Sequence, residues 1–208
     1  MCYGDDALPP DHGLGGRIAA AQDLALTAAD GNRFAAHLAR PALPKGTGVV
    51  ILPDVRGLHN FYRALAGRFA EAGFDAVAID YFGRTAGVGN RTADFDWQSH
   101  VPQTTAVGVA ADVRAALDHL RSMGNERLFT VGFCFGGANS WRQSAEQPGL
   151  TGAIGFYGVP SRVADVTDQM KAPLLLLVAG ADRTPRQDFV DFDNRLTELG
   201  RPHRMVIY

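Results

Sequence analysis

The sequence has only two cysteines in 208 residues, Cys2 and Cys134. That excludes a scaffold held by several disulfides. Cys2 stands in a polar N-terminal tail, and a bridge to Cys134 would bury that thiol for no evident gain. Both are therefore read as reduced, and the compartment as cytoplasmic. No apolar run approaches the ~20 residues that a membrane span requires. Basic runs are absent and the net charge is −2, which argues against nucleic acid and anionic membranes as partners. The opening Met1-Cys2-Tyr3-Gly4-Asp5-Asp6 is acidic and has no charged-then-apolar leader, so no secretory signal is expected. Asp94, Asp96 and His100 share one stretch without a spacing that fixes ligand geometry. No metal and no cofactor are expected.

One stretch organises what is present. Leu128-Phe129-Thr130-Val131 leads directly into Gly132-Phe133-Cys134-Phe135-Gly136-Gly137, and a helix-like segment follows to about Ala145. Strand, sharp turn, helix is the setting of a nucleophile elbow, with Cys134 at the position of the nucleophile. Gly132 and Gly136 are required because a Cβ at either would collide across the turn. The first amides of the helix favour a thiolate. A nucleotide loop is the weaker reading. The stretch lacks both the Lys-Ser/Thr of a P-loop and the G-x-G-x-x-G spacing.

The remaining elements alternate. Residues 1–20 read as an N-terminal arm. Asp23–Ala28 and Arg33–Ala39 form strands joined through Asp30-Gly31, a hairpin signal. Val49–Leu52 is a strand buried on both faces. A helix over Leu58–Ala72 has Phe61, Leu65, Phe69 and Ala72 on one stripe. Ala76–Ile79 is the next strand. Residues 84–104 show no period, and a loop of that length is more often functional than incidental. Val109, Val113, Leu117 and Leu120 mark a helix over Ala106–Met123. Strands at Gly152–Tyr157 and Leu174–Val178, a helix at Arg186–Leu199 and a last strand from Met205 complete the chain. The pattern gives one α/β domain over residues 1–208, a doubly wound, mostly parallel sheet with right-handed crossovers.

Four stretches carry a resemblance: Pro53-Asp54-Val55-Arg56-Gly57, Asp80-Tyr81-Phe82-Gly83-Arg84, Gly132–Gly137 and Gly180-Ala181-Asp182. Each stands at the C-terminal end of a strand. In this order they resemble the dienelactone hydrolase family, within the α/β-hydrolase fold, over roughly residues 23–208. The resemblance implies a Cys-His-Asp triad with Cys134 as nucleophile and Asp182 as acid. A thiolate would open a small lactone or ester through a thioester, and an imidazole oriented by the carboxylate would move the proton. The amides of Val55 and Phe135 would hold the oxyanion. Asp54 occupies the position of a family glutamate that pairs with the resting thiol. Arg84 matches the arginine that binds a substrate carboxylate, a task suited to its two-pronged fork. Tyr81 and Trp97 are candidate pocket residues. The expected partner is a small lactone or ester, and the expected state a monomer or small homo-oligomer.

The third triad member is missing from its usual place, the loop after the last strand. His12, His37, His59, His100, His119 and His203 are the histidines present. His203 starts the last strand, roughly 16 Å from its catalytic end at ~3.3 Å per residue. His59 and His100 could approach the site. The reading therefore expects a chain that continues past Tyr208 with a histidine-bearing loop and a C-terminal helix. A non-catalytic or truncated α/β binding module is the alternative. Plain structural roles also stand beside the catalytic ones: Cys134 as a core thiol, Asp182 as a helix cap, Asp54 as a partner of Arg56, Arg84 as a solvated charge, and Tyr81 and Trp97 as packing.

Overall fold

The computed structural model describes residues 6–11, 13 and 15–208. Cys2 and His12 lie outside the described residues. Among the described residues, eight strands form one sheet in the order β1-β2-β4-β3-β5-β6-β7-β8. They are β1 (Ile18–Thr27), β2 (Arg33–Pro41), β3 (Thr47–Leu52), β4 (Asp75–Ile79), β5 (Arg127–Phe133), β6 (Gly152–Phe156), β7 (Leu174–Val178) and β8 (His203–Ile207). The β1–β2 and β2–β4 pairs are antiparallel, and every later pair is parallel. The hairpin turns at Asp30-Gly31 as expected, with Gly31 at φ 84°. However, β1 begins at Ile18, inside the stretch read as an arm. Ile18-Ala19-Ala20-Ala21 lacks alternation, so its pairing with β2 was not legible.

Among the described residues, six α-helices connect the strands: α1 (Asn60–Glu71), α2 (Gly83–Ala86), α3 (Trp97–His100), α4 (Ala106–Ser122), α5 (Phe135–Glu146) and α6 (Arg186–Glu198). Among the described residues, no helix is long and apolar enough to cross a membrane. The sheet divides the core in two. On one face α1 packs Phe61, Tyr62, Ala66 and Ala70 against Val49, Ile51, Ala76 and Ala78. This buried stripe differs from the expected one: Leu65 and Phe69 are only half-buried. On the other face α4, α5 and α6 cover Val50, Leu52, Val77, Leu174 and Leu176. There Val109, Val113, Leu117 and Leu120 are all buried, as their spacing predicts.

Coverage of the sheet is uneven. β3 is buried at every position, as two-sided packing demands. Along β6 and β7 the side chains on the α1 side are only half-buried, and on β8 Val206 is half-buried while Arg204 is exposed. Ile154 pairs with Leu175, Phe156 with Leu177 and Leu177 with Val206, so these residues share one face.

The stretch 84–104 is ordered by charge and aromatic stacking rather than by periodicity. Arg91 sends Nε and Nη2 to Asp80 Oδ2 at 3.1 and 2.9 Å and Nη2 to the Gly87 carbonyl at 2.6 Å. Its guanidinium lies 4.7 Å from the Phe95 ring centroid, and Phe95 stacks on His100 at 5.1 Å. Asp80 is fully buried and also accepts from the amides of Leu58 and Phe82, both at 3.2 Å. Burial pushes its carboxyl upward, with the Arg91 contact opposing. Removing one partner of such a pair leaves an uncompensated buried charge. Arg91→Ala is therefore expected to destabilise the protein by about 3–5 kcal/mol, read as a lower urea midpoint at unchanged slope.

Candidate active site

The site is built where β3, β4 and β5 end together. β5 runs into Cys134, whose backbone has φ 56° and ψ −115°, a conformation uncommon for any residue with a Cβ. The Cys134 amide donates to the Phe156 carbonyl at 3.0 Å, and its carbonyl accepts from Gly137 N at 2.9 Å. The turn leaves no room beside it. A Cβ on Gly132 would stand 1.8 Å from the Gly136 carbonyl oxygen. One on Gly136 would stand 2.1 Å from the Leu52 oxygen and 2.3 Å from that of Pro53. Both steric expectations for these glycines are met. Close backbone approach also brings the start of α5 against the loop after β3.

That loop carries Asp54, Val55 and Arg56. The Val55 amide has no acceptor among the described residues. Phe135 opens α5, where the first amides lack intrahelical partners. Asp54 is 1% exposed. Its carboxylate accepts from Arg56 N at 2.9 Å, Arg56 Nε at 3.3 Å and Arg56 Nη2 at 3.0 Å. The His59 Nε2 atom stands 3.8 Å away. Burial raises the Asp54 carboxyl, but His59 and Arg56 outweigh it and hold it well below the usual carboxylate range. The Asp54 amide donates to the Tyr62 hydroxyl at 2.9 Å. Asp54 thus has the ion pair with Arg56 that its spacing allowed.

Tyr81 lies beneath the loop. It is 2% exposed, donates its hydroxyl to the Pro53 carbonyl at 2.8 Å, and meets Phe135 edge-on at 5.3 Å. Burial holds its phenol well above the ordinary value, with the neighbouring charges of Asp54, Asp80 and Cys134 adding to this. Trp97 opens α3 and is half-buried against the core on the α4 side.

Two expected residues sit farther out. Asp182 follows β7 and is half-buried, its Oδ1 accepting from Thr184 N at 2.8 Å. Among the described residues no histidine contacts it. Pro185, not Asp182, is the N-cap of α6. Arg84 does not turn toward Cys134. Its Nη1 donates to Asp30, and its Nη2 reaches Asp112 at 2.9 Å and the Gly108 carbonyl at 3.2 Å. Arg84 thus clamps the β1–β2 turn to the first turns of α4.

The histidines scatter. His37 bonds Asp23 at 2.7 Å. His203 bonds Asp193 at 3.1 Å and the Arg201 carbonyl at 2.7 Å. His100 stacks on Phe95, and His119 lies on α4. Among the described histidines only His59 enters the loop cluster, buried and set edge-on to Tyr62 at 4.9 Å. Tyr62 was missed in the sequence because the apolar stripe drew attention to Leu65 and Phe69. Tyr157, with φ 40° just after β6, gave no sequence signal at all.

Comparison with known proteins places this geometry in context. The model of the dienelactone hydrolase family matches residues 34–208. A relative from Escherichia coli (strain K12) is 29% identical over 182 residues, covering 77% of this chain and 65% of that protein. A Pseudomonas sp. (strain P51) protein named carboxymethylenebutenolidase is 29% identical over 149 residues, 66% of this chain and 60% of that protein. The chain thus spans about 65% of the length of the curated relatives it matches. A solved structure from Klebsiella pneumoniae superposes with a TM-score of 0.77 at 24% identity, over 90% of this chain and 85% of that one. A dienelactone hydrolase-like promiscuous phosphotriesterase from metagenomic libraries gives 0.76 at 20% identity, over 91% and 82%. These likenesses identify the fold as that of the α/β-hydrolases.

The depressed Asp54 carboxyl has a consequence for stability. A group whose folded value lies below its unfolded one contributes stability above the unfolded value, ~3.9 for Asp. That contribution is lost as pH falls toward the folded value. Asp54→Asn is expected to cost about 2–3 kcal/mol at pH 7, the scale of hydrogen bonds to a charged group. The deficit should shrink as pH falls below ~3.9, measured by urea unfolding of both proteins across the acid range.

Proposed function

We propose that this chain, which belongs to the dienelactone hydrolase family, acts as a cofactor-free hydrolase that opens a small lactone or ester through Cys134. The observation that carries the reading is the backbone of Cys134. A φ of 56° on a non-glycine residue is a strain of order 1–3 kcal/mol, held here by tight glycine contacts. Nothing about packing a core thiol requires it. An elbow does, because the conformation lifts the side chain out of the turn.

The roles follow from chemistry. Cys134 attacks the acyl carbon, and the C–O bond to the leaving oxygen breaks once the tetrahedral oxyanion collapses to a thioester. The amides of Val55 and Phe135 hold that oxyanion, each worth ~3–4 kcal/mol of barrier. Water then releases the acid. Asp182 orients and stabilises the imidazole that carries the proton. Gly180 N donates to the Tyr208 carbonyl at 2.8 Å, so the end of β8 runs beside the loop that bears Asp182. Tyr81 supports the oxyanion loop from below. Trp97 closes the substrate side, and the protein works in the cytoplasm.

The test is acyl transfer. Incubated with 4-nitrophenyl acetate, the native protein should gain one acetyl group, mapped by peptide mass to Cys134 and absent from Cys134→Ala. Modification only after unfolding in urea would overturn the nucleophile and leave a binding module in its place.

A further inference from the structure

The peptide unit before Val55 is held at both ends by phenols. Tyr81 donates its hydroxyl to the Pro53 carbonyl at 2.8 Å, and the Tyr62 hydroxyl accepts from the Asp54 amide at 2.9 Å. That carbonyl and that amide belong to one peptide unit, and a peptide unit is planar. Anchors on its two opposite edges therefore fix the plane. The next unit is fixed from Asp54 outward. The Asp54 carbonyl accepts from Gly57 N at 3.1 Å, and Asp54 Oδ1 accepts from Arg56 N at 2.9 Å. Side chain and backbone close this turn together. Of the four polar groups in these two units, only the Val55 amide has no partner among the described residues.

The two phenols come from opposite faces of the sheet. Tyr62 belongs to the core under α1, and Tyr81 to the core under α4 and α5. Both are buried. Each ring also packs on a residue that flanks Cys134. Tyr62 lies 5.7 Å from Phe133, and Tyr81 meets Phe135 edge-on at 5.3 Å. Phenylalanine would serve that packing equally well. The hydroxyls add something packing does not need, a rigid link from the elbow to the loop that carries the Val55 amide. We propose that Tyr62 and Tyr81 are a pair of positioning residues that aim the Val55 amide at the oxyanion. This rests on Cys134 being the nucleophile and on the Val55 amide being one of the oxyanion donors.

Two reactions of the same thiol test the pair without turnover. Acylation of Cys134 by 4-nitrophenyl acetate forms a C–S bond, passes through an oxyanion and expels 4-nitrophenolate. Alkylation by iodoacetamide forms a C–S bond with loss of iodide and passes through no oxyanion. The rate of the first is divided by that of the second in each protein. Tyr62→Phe and Tyr81→Phe should each lower this ratio about tenfold, less than the ~10²–10³ that losing an oxyanion donor outright costs. A merely structural role would slow both reactions together or neither, and an unchanged ratio overturns the pair. A variant that does not fold leaves the decision to the other. The order parameter of the Val55 amide, from NMR relaxation, is a readout independent of the thiol. It should be about 0.85 in the wild type, the value of rigid backbone, and fall in each variant that folds. A lower wild-type value, or variants as rigid as the wild type, overturns the pair, and if neither variant folds the wild-type value decides. A thiol inert to both reagents in the folded protein overturns the nucleophile reading instead, and the order parameter then decides whether the phenols position this amide.

Discussion

The site depends on one steric constraint, the contact between the turn after β5 and the carbonyls that end β3. Gly136 can approach Leu52 and Pro53 only because it has no Cβ. Gly132 can tuck under the Gly136 carbonyl for the same reason. These contacts hold Cys134 at its positive φ, since relaxing it would pull α5 off the loop at 53–55. They also bring two amides from separate strands to the same end of the sheet. Any larger side chain at either glycine would have to displace backbone, not a mobile side-chain tip. Few packing errors are harder to absorb in a close-packed interior.

A loop pinned so closely buries polar groups, and the surrounding charges answer for that. Asp54 goes below the surface with Arg56 folded back onto it and His59 alongside. Asp80, one strand over, is enclosed with Arg91 and two backbone amides. The two carboxylates shift in opposite directions. The contacts around Asp54 outweigh its burial and lower its carboxyl, whereas burial dominates at Asp80 and raises it. Between them Tyr81 bridges to the Pro53 carbonyl, so a phenol closes the gap under the loop. The stretch 84–104 is drawn into the same arrangement through Arg91, which explains how a segment without periodicity is held in place.

Backbone requirements were legible in the sequence because they are local. The Asp30-Gly31 turn, the two-faced burial of β3, the stripe of α4 and the glycines around Cys134 each follow from a few adjacent residues. Elements whose cause lies elsewhere were not. The first residues of β1 carry no alternation, because that strand lies at the sheet edge and is exposed along most of its length. On α1 the buried stripe runs through Tyr62, Ala66 and Ala70. Small residues there let the helix sit close to the sheet while the larger Leu65 and Phe69 stay at its margin. A hydrophobicity pattern favours the large residues and so selects the wrong side of the helix.

Charged side chains follow a further rule. A matching position preserves where an arginine leaves the backbone, but its partners decide what it does. The acceptors that capture Arg84 are Asp30, 54 residues earlier, and Asp112, 28 residues later. Neither belongs to the stretch that suggested a substrate role. Among the described residues Arg162 has no such captor, and Arg142 holds its backbone through the Arg162 carbonyl while directing its own charge to Asp165. A surface arginine with nothing to bind would ordinarily be solvated and mobile. Stacking on Phe135 instead holds this one at the rim of the cavity between α4 and α5, so an aromatic ring fixes an arginine that no described carboxylate captures.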